Sequence, residues 1–462
     1  MAQKVHPYIP NMVPKVQEEM LKVIGAKNIM ELYSCIPDEL KLKENMNIPP
    51  ALTEYELRRH IEGILNKNTS TKEYLNFLGA GCWQHFIPAV CDEINQRSEF
   101  LTAYAGEPYE DHGRFHALFE YQSLVAELVD MDVVNVPTFD WGQAAATSIR
   151  MAARITGKKK VLLTKSTAPE RRDIMINYGT PDLQFEFVQF DVKTGAMDLK
   201  DLEAKLTEDV AALYFENPSY LGFIEEQRPE ISKLLKNNQS LMVVGVDPIS
   251  LGVLAPPSHY GADIICGDLQ PLGMHMNFSG GQAGFIATRD EVKFVQEFPS
   301  RLFGIVPTVK EGEYGFGDVY YDRTSFALRE EGKESVGTQT ALWGITAGVY
   351  LALLGPDGMY EVGQTIMQNS QYAVQQLNQI PNITGSCLNS PFFKEFIIDL
   401  NHTGLSVEEL NKRLLEKKIF GGKDLSREFP EFGQSALYCV TEVHTKEDID
   451  YLVQSIKEVI EK

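Results

Sequence analysis

Five short runs of uninterrupted apolar residues recur through the middle of the chain, at 160–164 (KVLLT), 185–190, 211–215 (AALYF), 241–246 (LMVVGV) and 262–266 (ADIIC). Helical stretches such as 199–206 and 231–235 lie between several of them. A strand with one wet face alternates polar and apolar residues, whereas a strand that is apolar throughout is buried on both faces. Strand, helix and strand repeated in this way predict an α/β fold: a mostly parallel sheet, covered by helices and joined by right-handed crossovers.

The two ends of the chain follow other patterns. Residues 1–75 are Pro-punctuated and helical, with Met20, Val23 and Ile24 on one side of a helix over 16–25 and a short turn from Pro37. A further amphipathic helix is expected over 54–65. An arm of this kind packs on a neighbouring subunit or domain more often than it acts alone. After Leu354 a Gly-Pro-Asp-Gly breaker leads into a helix over 359–377, strands over 393–400 and 436–441, and a last helix carrying Ile449, Leu452, Val453, Ile456 and Ile460 on one face. The expected division is a helical arm (1–75), a large α/β domain (76–354) and a smaller C-terminal α+β domain (355–462).

Charge and cysteine usage narrow the function classes. The net charge of −21 over 462 residues repels phosphate backbones and anionic lipid, so neither nucleic acid nor a membrane surface is an expected partner. The nearly apolar stretch 341–355 is shorter than the ~20 residues of a spanning helix and contains glycines, which favours a buried helix. No secretory segment is expected at the N-terminus. Six cysteines and nine histidines are dispersed without a CxxC pair or a short Cys/His cluster. Reduced thiols, a cytoplasmic location and no metal centre follow as expectations.

Asp247 directly follows the apolar run 241–246. The carboxyl end of a parallel strand is where open α/β sheets bind ligands. In pyridoxal-phosphate enzymes of the aspartate aminotransferase superfamily an Asp so placed pairs with the pyridinium nitrogen; otherwise it caps a turn. Such enzymes also need a lysine further along to form a Schiff base, yet no lysine occurs between Lys236 and Lys293. The segment 104–114 (YAGEPYEDHGR) sets Tyr104, Glu107, Tyr109, Glu110 and His112 among Gly and Pro. It suits a loop that meets a small polar substrate, or a solvated acidic loop.

Several blocks taken together are more specific. FLGAGCWQHFIPAV (77–90), EFLTAY (99–104), FEYQ (119–122), ELVDMDVVN (127–135), DPISLGVLAPPSHYGADI (247–264), QPLG (270–273) and YLALLGPDG (350–358) resemble the alpha subunit of the two-chain glycine decarboxylase. That enzyme is the P-protein of the glycine cleavage system. The resemblance implies a PLP-dependent transferase fold of type I, with Gln270 at the position of the Schiff-base lysine and no catalytic residue or covalent cofactor in this chain. It implies pyridoxal phosphate in a β partner subunit, an α2β2 assembly, a lipoylated H-protein as second partner and a small amino acid, glycine, as substrate. Interface or pocket candidates are then Tyr104, Glu107, Tyr109, Glu110, His112, Asp247, Gln270 and His275. The chain departs from the family at 105–107 and Asp111–His112, at Trp141 and Gln143, and at Glu331–Ser335, where a Lys-Ala-Thr-Ser-Asn run is usual. These departures leave open a paralogue acting on another small amino acid or amine, or a cofactor-free scaffold.

Overall fold

The computed structural model describes residues 5–6, 8–44, 46–100, 112–279, 282–325, 327–336 and 339–461. The chain divides into two compact units, residues 1–69 and 70–462.

In the first unit, helix α1 (Pro14–Ile24) begins on a proline, whose missing N–H costs nothing in a first turn, and ends on Gly25 in the left-handed region (φ 75°). Helix α2 (Glu54–Leu65) starts at a capping box: Thr53 Oγ1 accepts from Glu56 N, and Glu56 Oε2 accepts from Thr53 N. Both helices therefore have good local start signals. Neither has a buried residue, and Met20, Val23, Ile24, Leu57, Ile61, Ile64 and Leu65 all lie exposed.

The second unit is built on a seven-stranded sheet. Its strands are β1 (Val133–Val134), β2 (Lys160–Thr164), β3 (Gln184–Val188), β4 (Val210–Glu216), β5 (Leu241–Val246), β6 (Ile264–Asp268) and β7 (Gly284–Thr288), in the spatial order β1-β7-β6-β5-β4-β2-β3. Only β7 runs against the others, pairing antiparallel with both β1 and β6. The continuous apolar runs are explained by what covers each face. Val161, Leu163, Ala212, Tyr214, Val243 and Cys266 join one core, under helix α3 (Trp141–Thr156). Their neighbours Leu162, Leu213, Phe215, Val244 and Ile265 join the opposite core, with Tyr121, Ala347 and Tyr350. Side chains alternate across a strand, so burial on both faces requires apolar residues at every position.

The apolar stretch at 341–355 and the helix expected over 359–377 form one element, α4 (Ala341–Leu377), kinked at Gly355 (φ 59°, ψ −173°). The breaker bends the helix without ending it, because Pro356 opens the second half, where its missing N–H is harmless. Beyond it, strands β8 (Glu395–Asp399), β9 (Lys423–Asp424) and β10 (Ser435–Cys439) form a three-stranded antiparallel sheet in the order β8-β10-β9. Helix α5 (Lys446–Ile460) buries Ile449, Leu452 and Ile456 in the same core as Phe396 and Ile398. No helix among the described residues is long and apolar enough to cross a membrane.

Candidate functional site

The end of β5 delivers Asp247 to the carboxyl edge of the sheet, where the main chain turns into a short helix over Pro248–Gly252. One carboxylate oxygen accepts from Ile249 N at 3.1 Å, as a turn-capping Asp does. The other lies 2.7 Å from the ammonium of Lys394, and both side chains are buried. Lys394 immediately precedes β8. Its Nζ also sits 3.6 Å from the centroid of the Trp83 ring and 3.2 Å from His85 Nε2. An ammonium can only donate, so His85 Nε2 is the acceptor and the ring proton is on Nδ1, 2.8 Å from Glu442 Oε2. Glu442 Oε1 accepts from Phe86 N at 2.7 Å. Burial opposes the Glu442 charge, while hydrogen bonds from His85 Nδ1 and the Phe86 amide pull its carboxyl below the usual range.

Gln270 lies two residues beyond β6 and is 1% exposed. Its amide grips the main chain of Trp83 from both sides: Oε1 accepts from Trp83 N (3.1 Å) and Nε2 donates to Trp83 O (2.9 Å). Nε2 also donates to Met274 O at 3.1 Å. A lysine could not accept the Trp83 amide. Asp268, at the end of β6, accepts from Gln270 N, Ala283 N and Trp141 N. Burial, with Asp140 nearby, raises its carboxyl to about 7 against those three donors. Asp140 caps α3 by accepting from Gln143 N at 2.7 Å. Across the same region Arg171 forms a bidentate pair with Glu216 (2.7 and 2.8 Å) and stacks 4.0 Å above the Trp141 ring. Between Trp83, Trp141, Ser219, Asp247 and Lys394 there remains a cavity of about 20 Å³, and a cleft of about 310 Å³ lies beside it, against Asp140, Arg171 and Asp268.

Of the residues expected from sequence, Asp247 and Gln270 meet around Trp83. His275 is exposed and pairs with Asp92 at 2.9 Å, apart from that cluster. His112 begins the helix His112–Val129. Tyr104, Glu107, Tyr109 and Glu110 lie outside the described residues. Sequence reasoning missed Lys394, Trp83, His85, Glu442 and the Arg171–Glu216 pair. A charged Lys-Glu dipeptide inside the apolar stretch SPFFKEFII was the signal available for Lys394. No group of side chains suited to a metal ion occurs among the described residues.

This architecture defines the class: a PLP-dependent transferase fold of type I. Two distant solved structures share it, a sphingosine-1-phosphate lyase from Burkholderia pseudomallei (TM-score 0.65, 13% identity, 92% of this chain and 94% of that one) and a NifS-like protein (TM-score 0.63, 14% identity, 84% and 99%). The crystal structure of glycine decarboxylase (P-protein) of the glycine cleavage system, in inhibitor-bound form, matches with a TM-score of 0.84 and 30% identity over 99% of this chain and 100% of that one. The family described as glycine cleavage system P-protein matches residues 6–456, and the chain belongs to it. Curated relatives named probable glycine dehydrogenase (decarboxylating) subunit 1 include those of Staphylothermus marinus (38% identity, 98% of each chain) and Sulfurisphaera tokodaii (38%, 98% of this chain and 99% of that one).

The family is PLP-dependent, but the residues around Asp247 do not fit that cofactor. Position 270 carries no amine, and the Asp247 carboxylate already holds an ammonium. The N-terminus of α3, by its dipole a natural phosphate seat, is met instead by the carboxylates of Asp140 and Asp268. A cavity of about 20 Å³ has room for about one water.

Proposed function

We propose that this chain is the cofactor-free α subunit of a glycine decarboxylase. It would act with a β chain that carries pyridoxal phosphate, in an α2β2 assembly located in the cytoplasm. The reaction of the assembly converts glycine and the oxidised lipoyl arm of an H-protein into the aminomethyl-lipoyl form and carbon dioxide. The observation that carries this reading is Gln270, a buried amide bound to main chain at the position the family resemblance matches to the Schiff-base lysine, within a chain whose relatives are named subunit 1. The bare apolar faces of α1 and α2 support a partner-dependent role, because amphipathic helices gain stability by burying that face. In this reading residues 1–75 are the arm that meets the partner, 76–354 carry the sheet and 355–462 form the smaller domain. Asp247 and Gln270 act structurally, while Tyr104, Glu107, Tyr109, Glu110, His112 and His275 are candidates for the subunit interface or the partner's pocket.

Exchange of labelled carbon dioxide into glycine tests the proposal. It is expected with this chain, its cognate second chain and a lipoylated carrier together, and absent when any one is omitted. Full exchange by the second chain without this one would remove any functional role for this subunit. The idea of another small amino acid gains nothing from these relatives and is not adopted.

A further inference from the structure

The groups that exclude the cofactor also form a connected structure. We propose that Lys394 is a built-in counter-ion that seals the former cofactor pocket and locks the three-stranded C-terminal sheet onto the edge of the central sheet. The inference depends only on residues of this chain, so it stands or falls separately from the substrate of the assembly.

Three groups surround the Lys394 ammonium: the Asp247 carboxylate, its ion-pair partner at 2.7 Å, and the acceptors His85 Nε2 at 3.2 Å and the face of Trp83 at 3.6 Å. These groups come from separate parts of the chain, which Lys394 draws to one point. Asp247 directly follows β5 of the central sheet, Lys394 leads into β8 of the C-terminal sheet, and Trp83 with His85 belongs to the segment 79–86 that runs between them. That segment is tied to both sides along its length. On the C-terminal side Ala80 N donates to Glu395 Oε1 at 2.6 Å, the Thr441 hydroxyl donates to Gln84 O at 2.7 Å, and Phe86 N donates to Glu442 at 2.7 Å. On the central-sheet side the Gln270 amide holds Trp83. The two sides also meet directly: a Cβ at Gly222 (φ 92°) would come 2.0 Å from the Glu395 carbonyl oxygen, so only glycine fits there. An aldehyde cofactor would have to displace the lysine from Asp247 and the segment from the cavity. A sheet fixed on this many anchors cannot swing away from the pocket to admit it.

Two measurements on the full-length chain test this. In the unaltered protein, pyridoxal phosphate followed by borohydride and peptide mass spectrometry should label exposed lysines such as Lys72 and leave Lys394 unlabelled. Labelling of Lys394 at the rate of Lys72 would overturn the proposal. Separately, Lys394→Met and Asp247→Asn should each lower Tm by about 5 °C or more, because each strands one buried charge, while the double variant regains at least half of the summed loss. Strictly additive losses, or single variants as stable as the parent, would show that no lock exists. Should a single variant fail to fold, the labelling result and the double variant still decide.

Discussion

The arm at residues 1–69 and the sealed pocket around Asp247 are opposites. In the arm both helices are well started and α1 is well stopped at Gly25, but their apolar residues are exposed and no residue of α1 or α2 is buried. Around Asp247 the charged residues face inward, and every one of Asp247, Lys394, Glu395 and His85 is buried and partnered. The arm is incomplete without another surface; the pocket is complete without a ligand. The cofactor-free, partner-dependent subunit proposed above would need this combination. The same principle operates in both places: apolar surface seeks cover, and buried charge must be matched within the fold.

Breaking the pocket side should give the largest effects. Arg171→Leu leaves the Glu216 carboxylate, 3% exposed, without its bidentate partner. Loss of a buried partner of this kind costs about 3–5 kcal/mol, measurable by denaturant unfolding. Gln270→Lys supplies an amine at the position proposed to match the Schiff-base lysine, but it leaves the Trp83 amide without its acceptor and buries an ammonium facing that donor. The expected outcome is a stability loss of about 3 kcal/mol with no gain of cofactor binding by absorbance titration. Saturable binding by this variant would mean that the missing amine, and not the filled pocket, is what keeps the cofactor out.

The next effect is set by pH. The Glu442 carboxyl is held below its ordinary 4.5 in the fold. A lowered carboxyl contributes stability that is fully present above the unfolded value and is lost as pH falls through the folded one. Stability should therefore drop as pH falls below 4.5, and Glu442→Gln should flatten that slope in acid unfolding curves. The arm should show the smallest effect on stability and the sharpest on assembly. Leu57→Asp and Ile61→Asp change exposed positions, so unfolding of this chain alone should shift by no more than about 0.5 kcal/mol. Binding to the second chain, followed by size-exclusion chromatography, should fall markedly. An equal loss of stability in the isolated chain would place these residues in an internal core instead.

Local order was legible where neighbouring residues set it. The run KVLLT marks β2 over Lys160–Thr164 and LMVVGV marks β5 over Leu241–Val246, because burial on both faces leaves a continuous apolar signature. The α2 helix over Glu54–Leu65 was marked by its amphipathic pattern, and its capping box became visible in the structure. Asp247 stood out because it follows a strand, and Gln270 because the resemblance to the family sets it at the lysine position. The remainder of the pocket was hidden because distance in sequence hides contact in space: Lys394 meets His85 across 309 residues, and His85 meets Glu442 across 357. The absence of a nearby lysine was visible in the sequence. That a distant lysine takes a place beside Asp247 was not, since only tertiary folding brings Lys394 there. The bend at Gly355 was read as a break for a related reason, since Gly-Pro-Asp-Gly looks the same in sequence whether a helix ends or kinks.

The most direct test is to reconstitute this chain with its second chain, fix any bound pyridoxal phosphate with borohydride, and measure the label on each polypeptide. All stoichiometric label is expected on a lysine of the second chain, with none on this one. Stoichiometric cofactor fixed to Lys394, or to any other lysine of this chain, would contradict a cofactor-free subunit.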